Sequence, residues 1–225
     1  AEKTVEFLLR ALKQNPDAGF AACTTFECDT KIKDCSLYGI RGFNLAGIAP
    51  EIDQLLTPEQ VFPYLFDDNQ LWHSCSMMFP RTNIVTIGKW DERWGCASDT
   101  EIILRAFLNG FSLAHCGYQG IYYRKREHSV SYDFRLDARL LWESTLIHLN
   151  AINSWVQQKK PLSRPLRIAW YRYWLRLKNL RLQNNSSEYE YYSQLAEGIA
   201  PPPAILRILE NTRMMLHATV GQYQR

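Results

Sequence analysis

The feature that most constrains this chain is a change of pattern near residue 132. Upstream, short apolar runs alternate with helical stretches and are broken repeatedly by Gly, Pro and Asp. Downstream, from Asp133 onward, the spacing is helical and is interrupted only at Pro161–Pro165 and Pro201–Pro203. Alternating strands and helices build an α/β layer, whereas an unbroken helical pattern builds none. The expectation is therefore an α/β layer over residues 1–132 and a helical region over 133–225. A chain of 225 residues is long enough for one buried core and such an appendage.

Local signals place the elements. Val5, Leu8, Leu9 and Leu12 recur at helical spacing and predict a helix over residues 2–14, ended by Asn15-Pro16-Asp17-Ala18-Gly19. Phe20-Ala21-Ala22-Cys23 begins a short buried strand, and residues 27–50 read as a long loop or ragged hairpin. Thr57-Pro58-Glu59-Gln60 is a helix start, and residues 72–80 read as a strand. Ser98-Asp99-Thr100-Glu101 has the form of a capping box, opening a helix that Gly110 stops, with strand structure over 111–125.

Several function classes are disfavoured. No apolar run approaches the roughly 18 residues of a membrane span, and residues 1–20 read as helix and turn rather than a signal peptide. Six cysteines lie at irregular spacings without a C-x-x-C pair. Cys28 and Cys35 either bridge in an oxidising compartment, join a metal site, or, as expected for the whole set, are reduced cytosolic thiols serving as small core residues. Asp67-Asp68 is read as solvated.

Charge is uneven. Lys159, Lys160, Arg164, Arg167, Arg172, Arg176, Lys178 and Arg181 fall between residues 159 and 181 with no acid, leaving 18 basic against 23 acidic residues elsewhere, a net of −5. This asymmetry asks for an anionic partner. The same stretch is rich in aromatics, so residues 164–181 either pack an aromatic stripe on the α/β layer with the arginines solvated, or lie on a membrane surface. No nucleic-acid recognition motif accompanies it, and nucleic acid is not expected as a partner.

An ordered series of motifs runs through the first region. Leu71-Trp72-His73-Ser74-Cys75-Ser76-Met77-Met78-Phe79-Pro80-Arg81 leads into Ile87-Gly88-Lys89-Trp90-Asp91-Glu92. Ser98-Asp99-Thr100-Glu101, Arg105 and Gly110 follow, then Tyr122-Tyr123-Arg124 with Ser129 and Ser131. The series resembles the second half of a family 2 glycosyltransferase of the Rossmann-like GT-A fold. Leu12 to Gly19 likewise resembles the helix after that family's metal-binding D-x-D. The resemblance covers residues 1 to about 132. It departs at Ser98, where the family has Glu, and at Arg126, where the family often has His, with His128 displaced by two.

The resemblance implies an inverting, nucleotide-sugar-dependent glycosyltransferase of the kind used in polysaccharide biosynthesis. Its acceptor would be a glycan, a lipid-linked group or a protein. Asp99 would be the general base, a role an acid in a first helical turn suits because the helix dipole favours its charged form. Trp90, Asp91, Glu92 and Trp94 would contact the acceptor, with Trp94 either a stacking face for a sugar or a core anchor. Arg124, Arg126 and His128 would meet the donor diphosphate. A divalent metal, Mn or Mg, is implied, but no D-x-D and no Gly-rich phosphate loop occurs in the sequence. Its main ligands are expected outside this chain, on a donor-binding half supplied by the same polypeptide or by a partner. The setting implied is cytoplasmic, with or without peripheral membrane contact. The rival reading is a non-catalytic glycan-binding or assembly module that lacks the donor half.

Overall fold

The computed structural model describes residues 2–29, 31, 33–37, 43–44, 46–66, 71–95, 97–124, 138–182, 187–197, 199 and 201–202. The chain divides into two compact units, residues 1–144 and 145–225.

The first unit is mixed α/β. Helix α1 (Glu2–Gln14) precedes β1 (Ala18–Cys28), β2 (Cys35–Leu37), β3 (Gln54–Leu56) and a short α2 (Pro58–Val61). Then come β4 (Met77–Met78), α3 (Arg81–Ile87), α4 (Ser98–Leu108) and β5 (Ser112–Arg124). The sheet runs β2-β1-β5-β3, with β4 on β1. β1 and β5 are parallel from Ala18↔Ser112 to Cys28↔Arg124, while β2, β3 and β4 pair antiparallel. β1 is thus 11 residues long rather than the short strand the sequence suggested. Its near-continuous burial is that of a strand covered on both faces.

On one face, Leu8 and Ala11 of α1 pack with Ala18, Ala21, Cys23, Ala114 and Cys116. Burying a side chain such as Leu8 stabilises by about 2 kcal/mol. The buried stripe of α1 starts at Thr4, whose hydroxyl donates to the Gly120 carbonyl at 2.7 Å. Val5 and Leu9, expected inward, are exposed. Burial pushes the Cys23 thiol up to about 12, and it serves as an inert core group. On the other side, Phe20 stacks on Phe79 at 4.8 Å and meets Phe107 edge-on at 5.3 Å.

Three expectations need correction. Residues 72–80 are not one strand: Ser74–Ser76 form a 3-10 turn, and only Met77–Met78 pair in the sheet. The Ser76 hydroxyl donates to the His73 carbonyl at 2.7 Å, closing the turn locally and competing with extended backbone. Ser98 does not cap α4: the cap position is Ala97, no side chain caps it, and Glu101 is engaged by Arg105 instead. Cys28 and Cys35 are joined as a disulfide across the β1–β2 hairpin, against the expectation of reduced thiols.

In the second unit the helices are the C-terminal part of α5 (Ala138–Gln157), then α6 (Arg164–Leu182) and α7 (Ser187–Leu195). His148 stacks on Tyr173 at 4.4 Å, and Trp155 Nε1 donates to the Pro161 carbonyl at 3.1 Å. Trp170, Tyr171 and Tyr173 of α6 are buried. Its cations lie over that aromatic layer, with Arg176 5.0 Å and Arg172 5.8 Å from the Tyr173 ring. Among the described residues no helix is long and apolar enough to cross a membrane.

Candidate functional site

The parallel pair β1–β5 ends with Glu27 beside Tyr123 and Cys28 beside Arg124. In open sheets, ligands bind outside the carboxyl ends of parallel strands, where the connections splay apart. Two further segments reach this end. The 3-10 turn presents His73 and Cys75, whose Nδ1 and Sγ are 3.4 Å apart. The His73 ring lies 4.1 Å from that of Tyr123 at a tilt of 31°. Helix α4 supplies Asp99 from its first turn.

Electrostatics ties these groups together. Burial holds the His73 imidazole below its ordinary pKa, while the Asp99 and Glu27 carboxylates pull in the opposite direction. Cys75 is exposed at the surface, and its thiol is raised, first by the protein packed around the sulfur and further by Asp99. At neutral pH the pair is therefore neutral imidazole and protonated thiol, so Cys75 is a poor nucleophile. Asp99 is half-buried, and its Oδ1 accepts from the Thr100 amide at 2.7 Å, which fixes the side chain at the helix mouth.

The turn before α4 carries the expected acceptor residues. Gly88 (φ 98°) and Lys89 (φ 62°) make a left-handed reversal at the end of α3, the conformation for which Gly is suited. Arg105 of α4 holds that reversal by donating to the carbonyls of Ile87 and Lys89, both at 2.6 Å, while Glu101 accepts from the same guanidinium. The helix that bears Asp99 and the loop that bears Trp90 are thus one hydrogen-bonded assembly. Trp90 is 49% exposed and Glu92 is exposed. Asp91 is gripped by Arg93 at 2.6–3.1 Å, and this bond holds its carboxyl below the usual range. Trp94 is only 6% exposed, with the Arg93 guanidinium 5.9 Å from its ring. Of its two readings, the core anchor fits that burial.

Of the expected diphosphate contacts, Arg124 stands exposed at the end of β5. Arg126 and His128 lie outside the described residues, as do Ser129, Ser131 and Asp67-Asp68. Among the described residues no three His, Cys, Asp or Glu side chains are grouped to hold a metal ion.

His73, Cys75 and Tyr123 lie within the motifs quoted above but carry no role there, and Glu27 lies outside them. Their sole signal was position: all fall where β1, β5 or the segment before β4 reaches the carboxyl end of the sheet. Comparison with protein-family models and with curated proteins finds no match.

Proposed function

We propose that this chain is the acceptor-side half of an inverting glycosyltransferase of the GT-A type, with Asp99 as general base. The observation that supports this best is the placement of Asp99. It stands half-buried in the first turn of α4, within electrostatic reach of His73 and Cys75, and His73 in turn lies against Tyr123 at the carboxyl end of the parallel pair β1–β5.

In this reading an acceptor hydroxyl lies against the exposed Trp90 face and the Glu92 carboxylate. Its oxygen attacks the anomeric carbon of a nucleotide-sugar as Asp99 takes the hydroxyl proton, and the bond to the nucleoside diphosphate breaks. Attack opposite the leaving group by an oxygen activated by one base inverts the anomeric centre. In this reading Arg124, exposed at the end of β5, draws the departing diphosphate, as a guanidinium suits. The described residues do not group to hold a metal ion; the divalent metal of this reading would be held with the donor-binding half. The donor-binding half is supplied from outside these residues.

The anomeric configuration of the product tests this. Incubation of the chain and its donor half with nucleotide-sugars should give a glycoside of configuration opposite to the donor. A retained configuration would rule out a single-base displacement.

The missing D-x-D favours a second reading, a glycan-binding or assembly module without catalysis of its own. The cytoplasmic setting has the Cys28–Cys35 disulfide against it, because such bonds persist in oxidising compartments.

A further inference from the structure

We infer that Glu143, on α5, is a positioning residue that sets the helix mouth carrying Asp99; the inference rests on Asp99 being the base. Glu143 is 1% exposed. Its Oε1 accepts from the Gly95 amide and its Oε2 from the Ala97 amide, each at 3.1 Å. Ala97 is the cap residue of α4 and offers no side chain to the helix, and Asp99 follows two residues later.

In a capping box, the acid three residues into the helix reaches back to the amide of the cap residue. Here that position is Thr100, and the nearby Glu101 is committed to Arg105. A carboxylate 46 residues further along the chain takes the amide instead. A carboxyl group buried to this degree is costly to desolvate and is retained where well-placed donors meet it. One oxygen holds the Gly95 amide and the other the Ala97 amide, so the backbone entering α4 is held at two points. The orientation of the first turn, and with it of the Asp99 carboxylate, follows from that hold. A base misplaced by about 1 Å costs on the order of a hundredfold in rate, so a distant glutamate can control turnover without touching substrate.

Hydrogen exchange of the wild-type chain is the first arm and needs no variant. The Gly95 and Ala97 amides should exchange at least tenfold more slowly than that of the neighbouring Glu92. The second arm compares Glu143→Gln and Glu143→Asp with wild type. Gln offers one acceptor and turns an NH2 on the other amide; Asp falls short of both. Both should speed exchange at Gly95 and Ala97. Assayed with the donor half below melting and normalised to folded protein, both should lower kcat at least tenfold with donor KM unchanged. A purely structural role would lower the melting midpoint and leave kcat per folded molecule alone. Unprotected amides in wild type overturn the inference, as does wild-type kcat in either folded variant. Asp99→Asn separates the two claims. If it is inactive while Glu143→Gln turns over normally, only the role of Glu143 falls. If Asp99→Asn is itself active, the base assignment falls and takes this inference with it.

Discussion

The buried His115 makes the stability of this protein depend on pH in a direction that can be worked out from two hydrogen bonds. His115 is 1% exposed. Trp72 Nε1 lies 3.0 Å from its Nδ1, and the Pro50 carbonyl lies 3.0 Å from its Nε2. An indole N–H can only donate, so Nδ1 must accept; the proton therefore sits on Nε2 and is given to Pro50. A second proton on Nδ1 would face the Trp72 donor. Burial holds the folded-state pKa below the ordinary 6.5, with the Pro50 bond and the Asp53 and Glu51 carboxylates opposing it. Below pH 6.5 the unfolded chain takes up a proton that the folded chain refuses. The contribution of His115 is thus complete above that pH and declines as pH falls, at up to about 1.4 kcal/mol per pH unit, until the folded-state pKa is reached. His73, also depressed, adds a slope of the same sign. Gln at position 115 can accept from Trp72 and donate to Pro50 without titrating. Urea midpoints between pH 8 and 5 should fall steeply for wild type and measurably less for His115→Gln. Equal slopes for the two proteins would refute the tautomer assignment and the burial argument together.

Two structural predictions follow from close approaches and covalent closure. A Cβ on Gly117 would meet the backbone carbonyl of Glu51, which cannot rotate away. Gly117→Ala is therefore expected to destabilise by about 1–3 kcal/mol in urea titration, and an unchanged midpoint would show that the Glu51–Ile52 backbone ahead of β3 yields freely. The Cys28–Cys35 disulfide closes a loop with a sequence separation of 7. Its loss should cost about 2.5 kcal/mol by chain entropy, read as matching midpoint shifts on reduction of wild type and in the Cys28→Ser/Cys35→Ser double variant.

The sequence made local structure legible and long-range structure opaque, for a physical reason. Helix α1, the Thr57–Gln60 start and the Gly110 stop each depend on residues within a turn of one another. In the structure the Gln60 side chain accepts the Thr57 amide at 2.9 Å, and Gly110 adopts φ 83°. Ser98–Glu101 shows how such a signal misleads: the same residues form a helix, but its start shifts by one and Glu101 finds a better partner in Arg105. Long-range contacts join residues separated by 43 to 65 positions, such as Trp72 with His115, His115 with Pro50, and Glu143 with Gly95. No periodicity marks them, because each side chain obeys the local pattern of its own element. Asp99 was found through an ordered set of motifs; Glu143 sits inside an ordinary helical stretch and carried no signal.

Turnover by Asp99→Asn, in the chain assayed with its donor-binding half, tests the central claim most directly. Asn preserves the size of Asp99 and an oxygen to accept the Thr100 amide, but it cannot take a proton from a hydroxyl at neutral pH. General base catalysis supplies about 10²–10⁴-fold, or roughly 3–5 kcal/mol. Ser98→Ala serves as the control, since Ser98 makes no cap bond and its loss should leave both stability and activity near wild type. The account predicts that Asp99→Asn keeps its melting midpoint and donor affinity while kcat falls at least a hundredfold. Turnover within a few-fold of wild type would contradict it.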